Sequence, residues 1–289
     1  ERLAFPMYAV NDEDTQALWR AVRQLLAARG VVEEDTLSYQ VPEDLLTHWR
    51  HPALLLSQTC GYPLMTRLPA VQTVGCFHYS APGCEGRNYR SLLAVREVDG
   101  GQTLADFRGR RVACNSPDSQ SGYNVLLNMV APLSRDGHFF SAVAFSGSHR
   151  QSLRELQQGT ADIAAIDCVT WALLQRHQPE ALAGLAVIAR SPLAPGLPLI
   201  TSATTSAAPS SGPGRPATCG SDFLAKLSVR EKAGQLLMVG VKDAADARRA
   251  VQQGVGGVFI GSWTDKSVFS GGTLQGVAKA GKVPASSVS

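Results

Sequence analysis

Residues 110–127 read RRVACNSPDSQSGYNVLL: a short apolar strand, then Asn115, Ser116, Asp118, Ser119, Ser121 and Gly122 within eight positions, then an apolar run of helical pattern. The order strand, small polar turn, helix is a β-to-α step. It sets the turn at the carboxyl end of a strand and the amino end of a helix beginning near Gly122, where open α/β sheets bind ligands. Exposed N–H groups and the positive end of the helix dipole favour an anion there, and Ser119 and Ser121 add hydroxyl donors. Gly122 lets a ligand approach the backbone. An ordinary Ser or Asp helix cap is the competing reading.

The same alternation runs on both sides of this stretch. LAFPMYAV precedes DEDTQALWRAVRQLLAARG, in which Leu18, Val22, Leu25 and Leu26 share a helical face and Gly30 is a stop. LSYQV, the short helix PEDLLTHWR, the buried strand ALLLSQTCGY, VQTVGCFHY and RSLLAVREV follow. Beyond the opening stretch come FSAVAFSG, the helix HRQSLRELQQG, ADIAAID, the helix CVTWALLQRH and LAVIARS. Repeated strand–helix alternation predicts an α/β protein with mostly parallel sheets covered on both faces. Two such series, joined near residues 96–103, predict two lobes, one of about 1–96 plus 186–202 and one of about 100–185.

Composition limits the function. The 289 residues are 44% hydrophobic and 18% charged, as expected of a globular chain with one large core or two ordinary ones. A net charge of +3 without Lys/Arg runs argues against DNA or RNA as a partner. No window approaches the roughly 18 apolar residues of a membrane span. The chain starts at Glu1 almost on a strand and shows no signal segment, so a processed or incomplete N-terminus is expected. Six cysteines, at 60, 76, 84, 114, 168 and 219, lack C-x-x-C spacing, and no metal or cofactor is expected. Cys76 and Cys84 flank a Pro-Gly turn, where a disulfide and two free thiols are both open.

Basic residues divide the chain. All six lysines follow position 225, whereas eighteen of twenty-one arginines precede it. Between the two regions, TSATTSAAPSSGPGRPATCGSD offers little to bury, and residues 203–221 are expected to be a flexible linker.

Other strand ends of the first region carry related chemistry. SQTCGYPL closes a strand with Gln58, Thr59 and Tyr62, FSGSHRQS closes another with Ser146, Ser148 and His149, and AIDCVTW closes a third with Asp167. Each has a simpler reading: a cap or surface residue for His149, a packing aromatic for Tyr62, a helix cap for Asp167. Together they predict a polar cleft.

The order PMY, LLLSQTCGYPL, APGCEGRNYRS, GRRVACNSPDSQSGYNVLL, FSGSHRQSLRELQQGTADIAAIDCVTWALL and APGLPLITS, over about residues 3–202, resembles the phosphate/phosphonate-type periplasmic substrate-binding proteins of ABC importers. The resemblance implies a two-lobed type II periplasmic-binding-protein fold and an oxyanion ligand, phosphate, phosphite or phosphonate, clamped between lobes. It also implies release to an ABC permease, a periplasmic or extracytoplasmic location, free or lipid-anchored, and a monomer without enzymatic activity. It puts the oxyanion at hydroxyls and backbone amides of Ser119 to Gly122, with Tyr62 and His149 as further donors and Asp167 facing a cationic substituent; Tyr8, Gln58, Thr59 and Tyr123 complete the set of residues expected to bind the ligand. After LITS the helices that close the family's first lobe are replaced by the linker, so the binding region is expected to be incomplete.

LAKLSVREKAGQLLMVGVKDAADARRAVQQGVGGVFIGSWTD, within about residues 222–283, resembles the opening of a glycoside hydrolase family 3 β-N-acetylhexosaminidase or β-glucosidase. That opening is the start of a TIM-type barrel. A retaining glycosidase needs two placed carboxyl groups, and the later strands that carry them in the family do not follow here. Residues 222–289 are therefore expected to be a catalytically incomplete fragment, with Asp265 a cap or loop residue. The differing compositions suggest two fragments of different genes, joined by fusion or misassembly.

Overall fold

Asn11 begins the first long helix because its side-chain oxygen accepts the Asp14 N–H at 2.9 Å, and Asp12, Glu13 and Asp14 oppose the positive end of the helix dipole. The buried face of that helix runs Thr15, Trp19, Val22, Leu26, and Trp19 Nε1 donates to Leu3 O at 2.8 Å, fastening helix to first strand. The computed structural model describes residues 1–33, 36–204, 238–240 and 257–259.

In chain order the first part contains β1 (Arg2–Ala4), α1 (Asp12–Ala28), α2 (Leu45–Trp49), β2 (Leu54–Gln58), α3 (Gly61–Arg67), β3 (Gln72–Cys76), β4 (Asn88–Tyr89) and β5 (Ser91–Arg96). Then follow β6 (Arg111–Cys114), α4 (Val125–Val130), β7 (Ala142–Phe145), α5 (His149–Gln158), β8 (Ile163–Asp167), α6 (Cys168–His177), β9 (Leu185–Arg190), β10 (Ala194–Pro195) and β11 (Pro198–Thr201). A single π-helical turn, Gln120–Asn124, leads directly into α4.

Two mixed sheets organise these elements, one in the order β1-β2-β11-β3 and the other β7-β6-β8-β5-β9. In the first, β1 and β2 are parallel and β11 runs antiparallel to both of its neighbours. In the second, β6 is parallel to β7 and β8, while β5 is antiparallel to β8 and β9. The central strands of the second sheet, β6, β8 and β5, are buried on both faces: Leu93, Val95, Ile163 and Ala165 pack with Phe107 and Leu126 on one side, and Ala94, Ala164 and Ile166 pack with Leu153, Leu156 and Leu174 on the other, while the edge strand β7 is exposed. Leu3, Phe5, Trp19, Leu56, Phe77 and Leu199 form the core beside the first sheet.

The fold is thus two-lobed α/β, with two corrections to the sequence reading. Strands β5 and β9, grouped there with the first lobe, belong to the second sheet, where β5 lies between β8 and β9. Their pairing joins residues far apart in sequence, which a local pattern does not reveal. The sheets are also less uniformly parallel than strand–helix alternation predicts, because β5 and β11 return antiparallel.

The chain passes between the sheets through the segment from β3 to β5 and the segment from β9 to β11, and these are laced together by the antiparallel pair β4–β10. Gly196 belongs to this crossing: its N–H donates to Arg87 O at 2.8 Å, and a Cβ there would lie 2.6 Å from that oxygen. The pair β12 (Met238–Gly240) and β13 (Gly257–Phe259) is parallel, with Val239 opposite Val258. The expected linker at 203–221 lies, after Thr204, outside the described residues, as does Asp265.

Candidate functional site

The ends of strands from both sheets meet at a cavity of about 360 Å³. The first sheet supplies Pro6, Met7 and Tyr8 beyond β1 and Cys60 beyond β2. The second supplies Asn115, Ser116, Asp118, Ser119 and Ser121 beyond β6, Ser148 and His149 beyond β7, and Asp167 at the end of β8. Leu45, Leu46 and Trp49 of α2 add an apolar wall.

Asp167 has two functions in this geometry. It caps α6, its Oδ1 accepting the N–H groups of Val169 at 2.7 Å and Thr170 at 3.4 Å, and its Oδ2 accepts the Tyr8 hydroxyl at 2.8 Å. Burial raises its carboxyl to about 6, against the opposing effect of the Tyr8 bond and the two backbone donors. Burial, then the Asp167 charge, likewise raises the Tyr8 phenol.

Across the cavity, Ser121 Oγ and His149 Nε2 are 3.0 Å apart. Burial lowers the His149 imidazole to about 4, outweighing the opposite influence of the Ala165 carbonyl, so the ring is neutral at pH 7. One partner of this bond then keeps a proton to donate elsewhere. Ser119 takes its capping form: its Oγ accepts the Gly122 N–H at 3.0 Å, so that amide is already used within the turn. Gly122 is required for a different reason from the expected one, since a Cβ there would overlap Asn115 Oδ1 and stand 3.2 Å from His149 Cε1. Asn115 Oδ1 is buried without a hydrogen-bond partner. At the rim, Arg67 of α3 pairs with Asp118 at 3.5 Å, linking the two lobes; both are partly exposed, so the contribution is small.

Of the ten residues expected at the site, Tyr8, Ser119, Ser121, His149 and Asp167 line the cavity. Gln58 is a buried strut, its Nε2 donating to Tyr79 Oη at 3.1 Å and its carbonyl accepting Trp49 Nε1. Thr59 is fully buried, its N–H donating to Pro198 O. Tyr62 lies outside the lining and is 36% exposed, because Gly61 and Tyr62 begin helix α3 instead of ending the strand. Tyr123 packs edge-on against Phe145, ring centroids 5.2 Å apart. Asn115, Asp118 and the α2 wall are the contributions that the sequence reading missed. Asn115 and Asp118 stand in the polar turn itself, whereas nothing in α2 marks it as cavity wall. The Sγ of Cys84 lies beside Cys168, at 3.6 Å, instead of being paired with Cys76. Among the described residues no helix is long and apolar enough to cross a membrane.

Residues 78–210 match the family described as ABC transporter, phosphonate, periplasmic substrate-binding protein. In fold, the chain is similar to PhnD1 from Prochlorococcus marinus in complex with methylphosphonate, with 15% identity, a TM-score of 0.56, and 70% of this chain and 76% of that one covered. It is also similar to a binding protein component of an ABC phosphonate transporter from Pseudomonas aeruginosa, with 15% identity, a TM-score of 0.53, and 81% and 78% of the two chains covered. A stretch of 61 residues is 51% identical to the β-hexosaminidase LpqI of Mycobacterium tuberculosis and of Mycobacterium bovis, and spans 21% of this chain but 16% of theirs. Over residues 78–210 the sequence matches the phosphonate-binding family of ABC transporters, and over both lobes the fold is similar to that of these periplasmic binding proteins.

Proposed function

We propose that residues 1–202 bind a phosphorus oxyanion, phosphate, phosphite or a phosphonate, in the cavity between the lobes and deliver it to an ABC permease outside the cytoplasm. The observation that carries this reading is the convergence of Tyr8, Ser119, Ser121, His149 and Asp167 from strand ends of both sheets on one cavity that, among the described residues, has no Lys or Arg in its lining. An anion in such a place is held by dipoles and hydroxyls, which suits a small, desolvated oxyanion. Asp167 then selects among ligands. Its carboxylate repels a bare dianion and attracts an ammonium group, so an aminoalkyl phosphonate is preferred to inorganic phosphate.

Ligand at about 100 times its Kd stabilises the fold by about 2.7 kcal/mol, a rise in Tm of about 5–10 °C for a region of this size. Ser121→Leu fills the cavity beside His149 and is expected to remove that rise. An unchanged response in the variant would contradict the assignment of the site.

A second reading follows from the 61-residue match to β-hexosaminidases. We assign residues 222–289 no turnover of their own, since two parallel strands cannot close a barrel. Hydrolysis of a chromogenic N-acetylglucosaminide by the purified chain, lost on deleting 222–289, would refute this.

A further inference from the structure

Cys84 and Cys168 face each other with their sulfurs 3.6 Å apart, both as thiols. Cys168 opens α6 immediately after Asp167, and Cys84 lies in the segment that crosses from β3 to β4. The backbone holds them in place without help from the sulfurs. Cys168 N donates to Arg90 O at 3.0 Å, and Cys84 N donates to Ala81 O at 2.9 Å. Gly83, at φ +102°, approaches so closely that a Cβ there would stand 3.0 Å from Cys168 Cβ. Both side chains belong to one apolar cluster with Cys60, Tyr89 and Leu197.

We propose that Cys84 and Cys168 form a disulfide that pins the crossing segment to the first turn of α6, beside Asp167. The sulfurs need to close from 3.6 Å to about 2.05 Å, a movement within reach of side-chain rotation. The oxidant is a disulfide donor, either oxidised glutathione or the disulfide of a dithiol oxidase. Cys84 is half-buried whereas Cys168 is 1% exposed, so the donor meets Cys84 first. The Cys84 sulfur, having lost its proton, attacks one donor sulfur and expels the other as a thiolate, leaving a mixed disulfide. The deprotonated Cys168 sulfur then attacks the Cys84 sulfur and expels the second donor thiolate. In total the two protein thiols lose two electrons and two protons, and the donor disulfide becomes two thiols. In the reduced pair the Cys84 thiol donates to the Cys168 sulfur, which lowers Cys168 and raises Cys84. A base must therefore take the Cys84 proton before the first attack, and the bond ends once Cys84 is in the mixed disulfide. The cross-link joins residues 84 positions apart, and oxidising extracytoplasmic compartments allow such bonds to persist. Nothing in this chemistry depends on the ligand reading.

The test treats the full chain with oxidised glutathione, alkylates the remaining thiols without reduction, and digests with trypsin and chymotrypsin, which cut at Phe77 and Tyr79 between Cys76 and Cys84. The expected product is a cross-linked peptide pair containing Cys84 and Cys168, lost on treatment with dithiothreitol, with Cys76 recovered alkylated. Reduction should also lower Tm by roughly 5–15 °C, and Cys168→Ser should not show that drop. Peptide mapping of the unaltered chain decides the matter even if the variant fails to fold. Alkylated Cys84 and Cys168 after oxidant treatment, or Cys84 joined to Cys76, would overturn the proposal.

Discussion

Tyr8 Oη donates a 2.8 Å hydrogen bond to Asp167 Oδ2 and so joins the segment after β1 in the first sheet to the cap of α6 in the second. The bond crosses from lobe to lobe at the cavity wall and turns a buried carboxylate of the lining toward the first lobe. Tyr8→Phe removes the donor and leaves Asp167 with only its two backbone partners. A loss of about 1–2 kcal/mol is expected in chemical denaturation, together with a further rise in the Asp167 pKa read by carboxyl NMR titration. An unchanged titration would show that the bond does not govern this carboxyl.

The pH dependence of binding follows from the same group. Asp167 titrates near 6 in the fold instead of at its ordinary 3.8. An ammonium-bearing phosphonate needs the ionised form, so its affinity should rise by up to about tenfold per pH unit from pH 4 to 6 and level off above. A ligand without the ammonium group should show no such rise, and Asp167→Asn should abolish it. Calorimetry at several pH values reads both; a rise that persists in Asp167→Asn would contradict the role given to this residue.

Stability should respond to pH with opposing signs. The raised pKa of Asp167 means that burying its charge costs nothing below about 4 and its full amount above about 6. His48 and His149 are both lowered to about 4, chiefly by burial. Their neutral forms favour the fold fully above the ordinary imidazole value of 6.5, and that contribution is lost as pH falls through 4. Acid unfolding should therefore shift to lower pH in His48→Gln, measured by circular dichroism, provided that the Ser57 bond at 3.0 Å is kept by the amide.

Gly122 and Asn115 form a steric pair. Gly122→Ala forces Asn115 away and should cost about 1–3 kcal/mol and reduce ligand binding. The double variant with Asn115→Ala should recover stability, because the overlap is with the Asn115 side chain. Lack of recovery in thermal melts would show that the glycine is needed for its backbone instead.

Asp162 separates stability from binding. Its carboxylate accepts Arg111 N, Nε and NH2 at 2.9–3.0 Å and Arg96 NH2 at 2.6 Å, and these donors hold its pKa far below the usual carboxylate range. Asp162→Asn should destabilise the fold by about 2–4 kcal/mol, since the guanidinium groups of Arg96, Arg110 and Arg111 lose their anionic partner, yet leave ligand affinity within about twofold in the folded fraction.

The alternation of elements was legible because each carries its own period. SHRQSLRELQQG shows a Ser148 cap, a Leu153/Leu156 face and a left-handed Gly159 at φ +74°, all of them local signals. Ser121, His149 and Asp167 were legible for a related reason: a polar residue directly after an apolar strand must lie at a sheet end. Gln58 and Thr59 were not resolvable, because every residue of β2 is buried and a strand without alternation does not reveal which side chain faces a cavity. Tyr62 falls outside the lining because the strand expected to run through Gly61 and Tyr62 ends at Gln58, and Pro63 within the first turn of α3 is compatible with a helix. The α2 wall and the Cys84–Cys168 contact depend on long-range packing that no local pattern encodes.

Isothermal titration of residues 1–204 within the intact chain against methylphosphonate, an aminoalkyl phosphonate, phosphate and sulfate is the most direct test of the binding assignment. One site per chain is predicted, with the aminoalkyl phosphonate bound most tightly, sulfate weakly, and all heat lost in Ser121→Leu while the variant keeps its fold. Absence of heat with every phosphorus oxyanion in a well-folded sample, or titration of Ser121→Leu like the parent, would contradict it.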